Sequence, residues 1–215
     1  PHKAPDWTYF RGKVEVEGGD GSKESYAASH IILATGARPR DIPVLPIDED
    51  RVWSSTGALF QADAPESLAV VGAGAVGMEF ADVFNAYGTK VTVIEALDRI
   101  LPLEDKDSSS TVQRSFNKRG MEFFTGAMVE AAEIGEKSVL LTFRDNKGEE
   151  QTLAVQNVLS AVGRVPNSSD LGLEAAGQVP LELLDYLRLV RGIAQHPFET
   201  VHHFGRDPRH RHQDA

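Results

Sequence analysis

Cysteine is absent from the 215 residues. That removes a disulfide framework, a thiolate nucleophile and a thiolate metal site, so a redox role would need an electron carrier supplied by a cofactor. Basic residues are scarce, 22 against 32 acidic ones for a formal charge of −10. A polyphosphate backbone would meet repulsion rather than counterion release, and nucleic acid is not an expected partner. Long apolar runs are missing too. The most apolar stretch, Ser67 to Phe84, is broken by three glycines and by Glu79 and Asp82, so it falls short of the roughly 20 apolar residues of a membrane span. The opening Pro-His-Lys-Ala-Pro-Asp carries neither a secretory apolar region nor an Arg-rich transit pattern. What is present is 41% hydrophobic and 25% charged residues with 19 Gly and 11 Pro, the balance of a soluble globular chain of one or two domains.

Residues 8–38 read as short strands. Gly12 to Glu17 alternates apolar and charged residues, Gly18-Gly19-Asp20-Gly21 turns the chain, and Ser29 to Ala34 looks like a buried strand. So little sheet cannot bury a core of its own and must lie on another domain or chain. Residues 42–66, punctuated by Pro43, Pro46 and Pro65, read as a linker in which Trp53-Ser54-Ser55-Thr56 opens a short helix. A β-α-β unit follows: strand Ser67 to Val71, a helix from Ala75 to Tyr87 with Val76, Phe80, Val83 and Phe84 on its apolar face, Gly88 as terminator, and strand Lys90 to Glu95. Then come a helix over Asp105 to Arg119 and strands near 121–124, 128–134, 138–144 and 152–161, with Asp145-Asn146-Lys147-Gly148 as a hairpin turn.

Gly72-Ala73-Gly74-Ala75-Val76-Gly77 has the G-x-G-x-x-G spacing between that first strand and its helix, and Glu95 ends the next strand 21 residues after Gly74. This setting, rather than the string alone, points to a dinucleotide. Gly72 permits the tight turn, Gly74 leaves room for a diphosphate, and Gly77 lets helix and strand approach; the helix start then favours negative charge. A carboxylate at Glu95 suits the free ribose hydroxyls of NAD and repels the 2′-phosphate of NADP.

Four motifs in order and spacing carry a family resemblance: Ile31 to Pro39 with its Ala34-Thr35-Gly36, Val70 to Glu79, Lys90 to Pro102, and Val162-Gly163-Arg164-Val165-Pro166-Asn167 with Leu171-Gly172-Leu173-Glu174. Together they resemble the middle of the dihydrolipoamide dehydrogenases, among the FAD- and NAD-dependent disulfide oxidoreductases, from about Phe10 to Gly177. The resemblance implies an α/β fold: a Rossmann-type NAD-binding domain over 67–162, flanked by incomplete FAD-domain pieces at 1–41 and 163–193. It implies FAD and NAD as cofactors. Thr35 and Gly36 would lie near the flavin's adenosine side. The run Gly72, Ala73, Gly74, Ala75, Val76, Gly77, Met78, Glu79 would hold the NAD diphosphate, with Glu79 near the nicotinamide or simply a polar residue of the first helical turn. Glu95 would take the ribose; Val129 would pack on the adenine or serve as core; Gly163 would let the nicotinamide end pass or merely turn the chain. Arg164, Pro166 and Asn167 would be structural.

The family's cysteine pair, first nucleotide fingerprint and catalytic His–Glu pair have no counterpart in these residues, so no catalytic residue is expected here and the chain alone should be inactive. The family enzymes are homodimers that act on a lipoamide-bearing protein in the cytoplasm or in a mitochondrial or plastid matrix. Another flavin disulfide reductase, an NADH oxidase, or an inactive NAD-binding module remain alternatives. From Ala194 the sequence leaves the family pattern. Five of seven histidines fall at 196, 202, 203, 210 and 212, and residues 194–215 are expected to be an aberrant, disordered tail and not a metal site.

Overall fold

The computed structural model describes residues 6–10 and 13–173. Expectations for the histidine-rich tail fall outside the described residues. Two compact units are formed, residues 38–164 and the described residues outside that span.

In the smaller unit, strands β1 (Asp6–Phe10), β2 (Lys13–Glu17) and β3 (Lys23–Ala27) make an antiparallel sheet. The turn before β3 is held by Asp20, whose Oδ1 accepts from the Ser22 amide at 3.0 Å and its hydroxyl at 2.6 Å. Residues 29–34, expected as a buried strand, are irregular and largely exposed, Ile32 at 90%. A strand needs a neighbour to complete its ladder, and among the described residues none runs beside this segment. β4 (Ala37–Pro39) and the last strand, β13 (Arg164–Pro166), pair as a two-stranded ribbon whose residues are divided between the two ranges.

The larger unit runs through β5 (Val52–Trp53), α1 (Ser55–Leu59), β6 (Ser67–Val71), α2 (Ala75–Ala86), β7 (Lys90–Glu95), α3 (Lys106–Lys118), β8 (Glu122–Thr125), β9 (Met128–Ile134), β10 (Val139–Arg144), β11 (Glu150–Val155) and β12 (Asn157–Ser160). Five strands in the order β5-β12-β6-β7-β8 form a parallel sheet. Strands β9 to β11 form an antiparallel sheet in the order β11-β10-β9. The residues of β6 explain the layering. Leu68 and Val70 point to a core shared with Met78, Ala81 and Phe84 of α2, while Ala69 and Val71 point to a second core with Val139, Leu141 and Phe143 of β10. A strand buried on both faces is apolar throughout, which is why its sequence shows a run rather than an alternation.

Three sequence expectations are corrected in this unit. Residues 42–66 are not merely connective: Leu45, Val52, Trp53 and Ala58 are buried, and β5 pairs with β12 at the sheet edge. Ser54 does open a short helix, accepting from the Thr56 and Gly57 amides. On α2 the buried face is Gly77, Met78, Ala81 and Phe84, whereas Val76 and Val83 are 39% and 49% exposed; both stripes have helical spacing, and packing against β6 selects one. The single strand expected over 152–161 is two strands in two sheets. The chain changes sheet at Gln156, whose amide donates to the Ser67 hydroxyl at 3.0 Å and whose Oε1 accepts from the Glu66 amide at 2.8 Å.

Among the described residues no helix is long and apolar enough to cross a membrane.

Two aspartates tie turns to pH. Burial alone would raise the Asp48 carboxyl, but the amides of Val52, Asp50 and Arg51 donate to it and hold its pKa below the ordinary 3.8. The Glu149 amide, helped by that of Lys147 and the Gln151 side chain, lowers Asp145 in the hairpin turn despite some desolvation. A depressed folded pKa gives stability that is present above the unfolded value and lost as pH falls through the folded one. The melting temperature should therefore drop as pH falls below 3.8. It should drop less steeply in a double variant with Asp48→Asn and Asp145→Asn, whose amide oxygens accept at every pH; equal acid sensitivity by scanning calorimetry would remove these turns as its source.

Candidate dinucleotide cleft

The parallel strands end together at a cleft of about 350 Å³. Its walls are the glycine turn at Gly72 and Gly74, the end of β7 at Ile94 and Glu95, the loop residues Leu97 and Pro102, Met128 and Val129 of β9, and the segment 161–163 after β12. A crevice at the carboxyl ends of parallel strands is where open α/β sheets bind ligands.

The three glycines behave differently. Gly72 has φ of +101°, and a Cβ there would stand 2.5 Å from the Ala161 carbonyl oxygen. A Cβ on Gly77 would stand 2.0 Å from the Gly72 oxygen and 3.2 Å from Val70. Both are close-packing positions. Gly74, the N-cap of α2 with no side chain to cap it, faces open space, with nothing within 4 Å of the point where a methyl group would stand. Backbone amides of a helix's first turn have no partner within the helix, so the opening of α2 presents donors toward a space kept free of side chain.

Glu95 is 7% exposed and holds this turn together. Its Oε2 accepts from the Ala73 amide at 2.6 Å and its Oε1 from the Leu97 amide at 2.8 Å. Hydrogen bonds to an ionised acceptor are the strong ones, and here one carboxylate joins the glycine turn of β6 to the loop that follows β7. A carboxylate has about four acceptor positions, and these two amides occupy two of them.

The residues expected from the sequence do not all meet at the cleft. Gly72, Gly74, Glu95, Val129 and Gly163 line it. Ala73 and Met78 are buried at 0% and 3% exposure, and the Ala73 amide is committed to Glu95 rather than free for a phosphate. Ala75, Val76 and Glu79 are exposed on the first turns of α2, and Gly77 is on the buried face of the same helix. Val129 serves as core and as cleft wall together. Thr35 and Gly36 belong to the smaller unit, where the Thr35 hydroxyl donates to the Asn167 carbonyl at 2.6 Å and the Asn167 side chain donates to the Thr35 carbonyl at 3.1 Å. Asn167 is thus a structural clasp. Sequence reasoning missed Ile42 and Leu97, outside the named strands and helices, and Met128 of β9 as wall residues; an apolar side chain in a loop carries no signal of its own, and one on a strand reads as sheet. Among the described residues no cluster of His, Asp or Glu could hold a metal ion.

The glycines make a paired prediction. Gly77→Ala should lower stability by about 1–3 kcal/mol in urea unfolding through overpacking. Gly74→Ala should change stability by less than about 0.5 kcal/mol while placing a methyl in the cleft and weakening dinucleotide binding. The reverse ranking of the two stabilities would show that the turn is not packed as described.

Residues 3–186 match the family described as pyridine nucleotide-disulphide oxidoreductase. The chain is 40% identical over 167 residues to dihydrolipoyl dehydrogenase 3 of Pseudomonas aeruginosa, covering 77% of this chain and 36% of that protein. It is 41% identical over 152 residues to a dihydrolipoyl dehydrogenase of Chlamydia pneumoniae, covering 71% and 32%. The crystal structure of LpdA from Mycobacterium tuberculosis superposes with a TM-score of 0.69 at 32% identity, covering 80% of this chain and 38% of that one. The HOCl-induced flavoprotein disulfide reductase RclA from Escherichia coli gives 0.65 at 29% identity. The chain thus spans about a third of the length of the relatives it matches. With its parallel sheet, glycine turn and matched span, this chain belongs to the pyridine nucleotide-disulphide oxidoreductase family.

Proposed function

We propose that this chain is the nicotinamide-nucleotide-binding part of an NAD-dependent dihydrolipoyl dehydrogenase, in which electrons pass from dihydrolipoamide through FAD to NAD. The observation that carries the reading is the cleft itself, with open space at Gly74 and the Glu95 carboxylate on its wall. The amides opening α2 bind the diphosphate. Glu95 accepts from the adenosine ribose hydroxyls with the positions its two backbone donors leave free, and Val129 lies against the adenine. Gly163, with φ of +122° and no side chain, leaves a path for the nicotinamide end.

Bound NAD supplies a hydride acceptor at its nicotinamide ring. The chain's own contribution is to fix the nucleotide's diphosphate and sugar and to surround the adenine with apolar walls, so that little orientational freedom is left at the reacting end. Thr35 and Gly36 fit the flavin less well, because the Thr35 hydroxyl is already engaged by Asn167. They hold the shape of their loop, and no step through the flavin is assigned to these residues. With no cysteine among the 215 residues, the dithiol-to-disulfide step needs thiols from elsewhere, and the isolated chain should not turn over dihydrolipoamide. A lipoamide-bearing protein as partner, and a homodimer as the assembled form, follow from the same proposal.

The likeness to the disulfide reductase RclA supports a second reading. In it the same cleft serves a flavoprotein that reduces a different disulfide.

Glu95→Arg tests the nucleotide assignment. A carboxylate repels a 2′-phosphate and a guanidinium attracts it, so the variant should lose affinity for NADH and shift its preference toward NADPH in fluorescence titrations. A preference equal to that of the unaltered chain removes Glu95 from the sugar site.

A further inference from the structure

Three methionines carry all the sulfur of this chain. Two of them, Met78 and Met121, are each 3% exposed and belong to one core cluster. Met128 differs. It opens β9, is 62% exposed, and lines the dinucleotide cleft together with Val129. A thioether that solvent reaches is open to peroxides and similar oxidants, and the sulfoxide it becomes is polar and chiral where the parent was apolar. With no cysteine in the sequence, no thiol of the chain competes for such an oxidant.

The surroundings of Met128 make that change of polarity matter. The cleft it lines is walled by the apolar residues Ile42, Ile94, Leu97, Pro102 and Val129. Across the ladder Met128 pairs with Arg144. That guanidinium is engaged by the Glu130 carboxylate at 3.0 and 3.3 Å and by the Gly148 carbonyl at 2.8 Å. A sulfoxide oxygen covered by a ligand on this wall would therefore lose its water without gaining a donor from the opposing residue. Burying a polar group without a partner is costly. The same covering acts on the oxidant, because a nucleotide lying against this wall shields the sulfur.

We propose that Met128 is an oxidation site through which a peroxide lowers the affinity of the cleft for its nucleotide. The sulfur lone pair attacks one oxygen of the peroxide, and the S–O bond forms as the O–O bond breaks. The departing hydroxide takes the proton left on the transferred oxygen and leaves as water; the thioether is oxidised and the peroxide reduced. A methionine sulfoxide reductase reverses the change at the expense of a dithiol, which becomes a disulfide as the oxygen leaves as water. Oxidation and occupancy then oppose each other: an empty cleft is oxidised and an occupied one is protected. The inference rests on the dinucleotide reading above and adds to it a response to oxidant in a chain without thiols.

The full 215-residue chain is treated with hydrogen peroxide, with and without saturating ADP-ribose, and its peptides are read by mass spectrometry. NADH is titrated by fluorescence before treatment and again after the peroxide is removed. Met128 should gain an oxygen well before Met78 and Met121, and ADP-ribose should slow that gain several-fold. The oxidised chain should bind NADH about tenfold more weakly, the cost of one polar group covered without a partner. Met128→Leu, whatever its own starting affinity, should bind NADH equally before and after peroxide. Should that variant not fold by circular dichroism, repair of the unaltered chain decides: a methionine sulfoxide reductase with dithiothreitol should remove the oxygen from Met128 and restore the affinity together. The inference is overturned by an affinity that stays the same with Met128 oxidised, that falls equally in Met128→Leu, or that is not restored when Met128 is repaired. Oxidation of Met128 at a rate indifferent to ADP-ribose overturns it too. Each of these results leaves the dinucleotide reading standing, since the untreated chain still binds NADH. Failure of the untreated chain to bind NADH overturns that reading and this inference with it.

Discussion

Where the glycine turn after β6 meets the end of β12, the chains approach so closely that only a hydrogen fits on the Gly72 α-carbon, the Ala161 carbonyl lying 2.5 Å from a Cβ position. The rest of the cleft depends on that approach. It brings the carboxyl ends of β6, β7 and β12 to one line and lets α2 start directly above them. With the turn drawn in, Glu95 can reach across from β7 and accept from the Ala73 amide. A longer side chain at either Gly72 or Gly77 would push the helix off the sheet and separate the donors from the wall. The glycine side of the site is therefore a consequence of backbone packing, while apolar side chains such as Ile94, Leu97 and Val129 make its other walls.

Glu95 illustrates how one residue serves two physical ends. Its burial would be costly for a lone charge, and two backbone amides offset that cost while fixing the orientation of the carboxylate. The same anchoring that stabilises the turn keeps the carboxylate on the wall of the cleft. Preorganisation of this kind lowers the entropy a ligand must lose in ordering the site. The burial of Val129, part of a core cluster that includes Phe143, does the same for the apolar wall.

Much of the larger unit was legible in the sequence because its signals are local. The apolar run of β6, the glycines of the turn and the Asp-Asn-Lys-Gly hairpin each reflect conformational preferences that neighbouring residues set among themselves. Glu95 could be singled out because the β-α-β unit has a nearly constant length. What could not be read were relations between distant segments. Nothing in Val52 and Trp53 announces that they pair with Val158 and Leu159. Nor does the composition of α2 say which of two apolar stripes meets β6. Ile31 to Ala34 reads as strand by its residue types, yet without a neighbouring ladder among the described residues it stays irregular.

By itself the sequence determined the family, the α/β alternation, the place of the glycine turn and the acid a strand later, since each of these depends on spacing along one chain. Only the tertiary structure decided that Ala73 is held by Glu95, that Asn167 clasps Thr35, and that Arg40 lies over Gly163. Those contacts join residues 22, 132 and 123 positions apart. Partners so far apart are chosen by the packing of sheets and loops in three dimensions, to which the order of residues along the chain gives no direct measure.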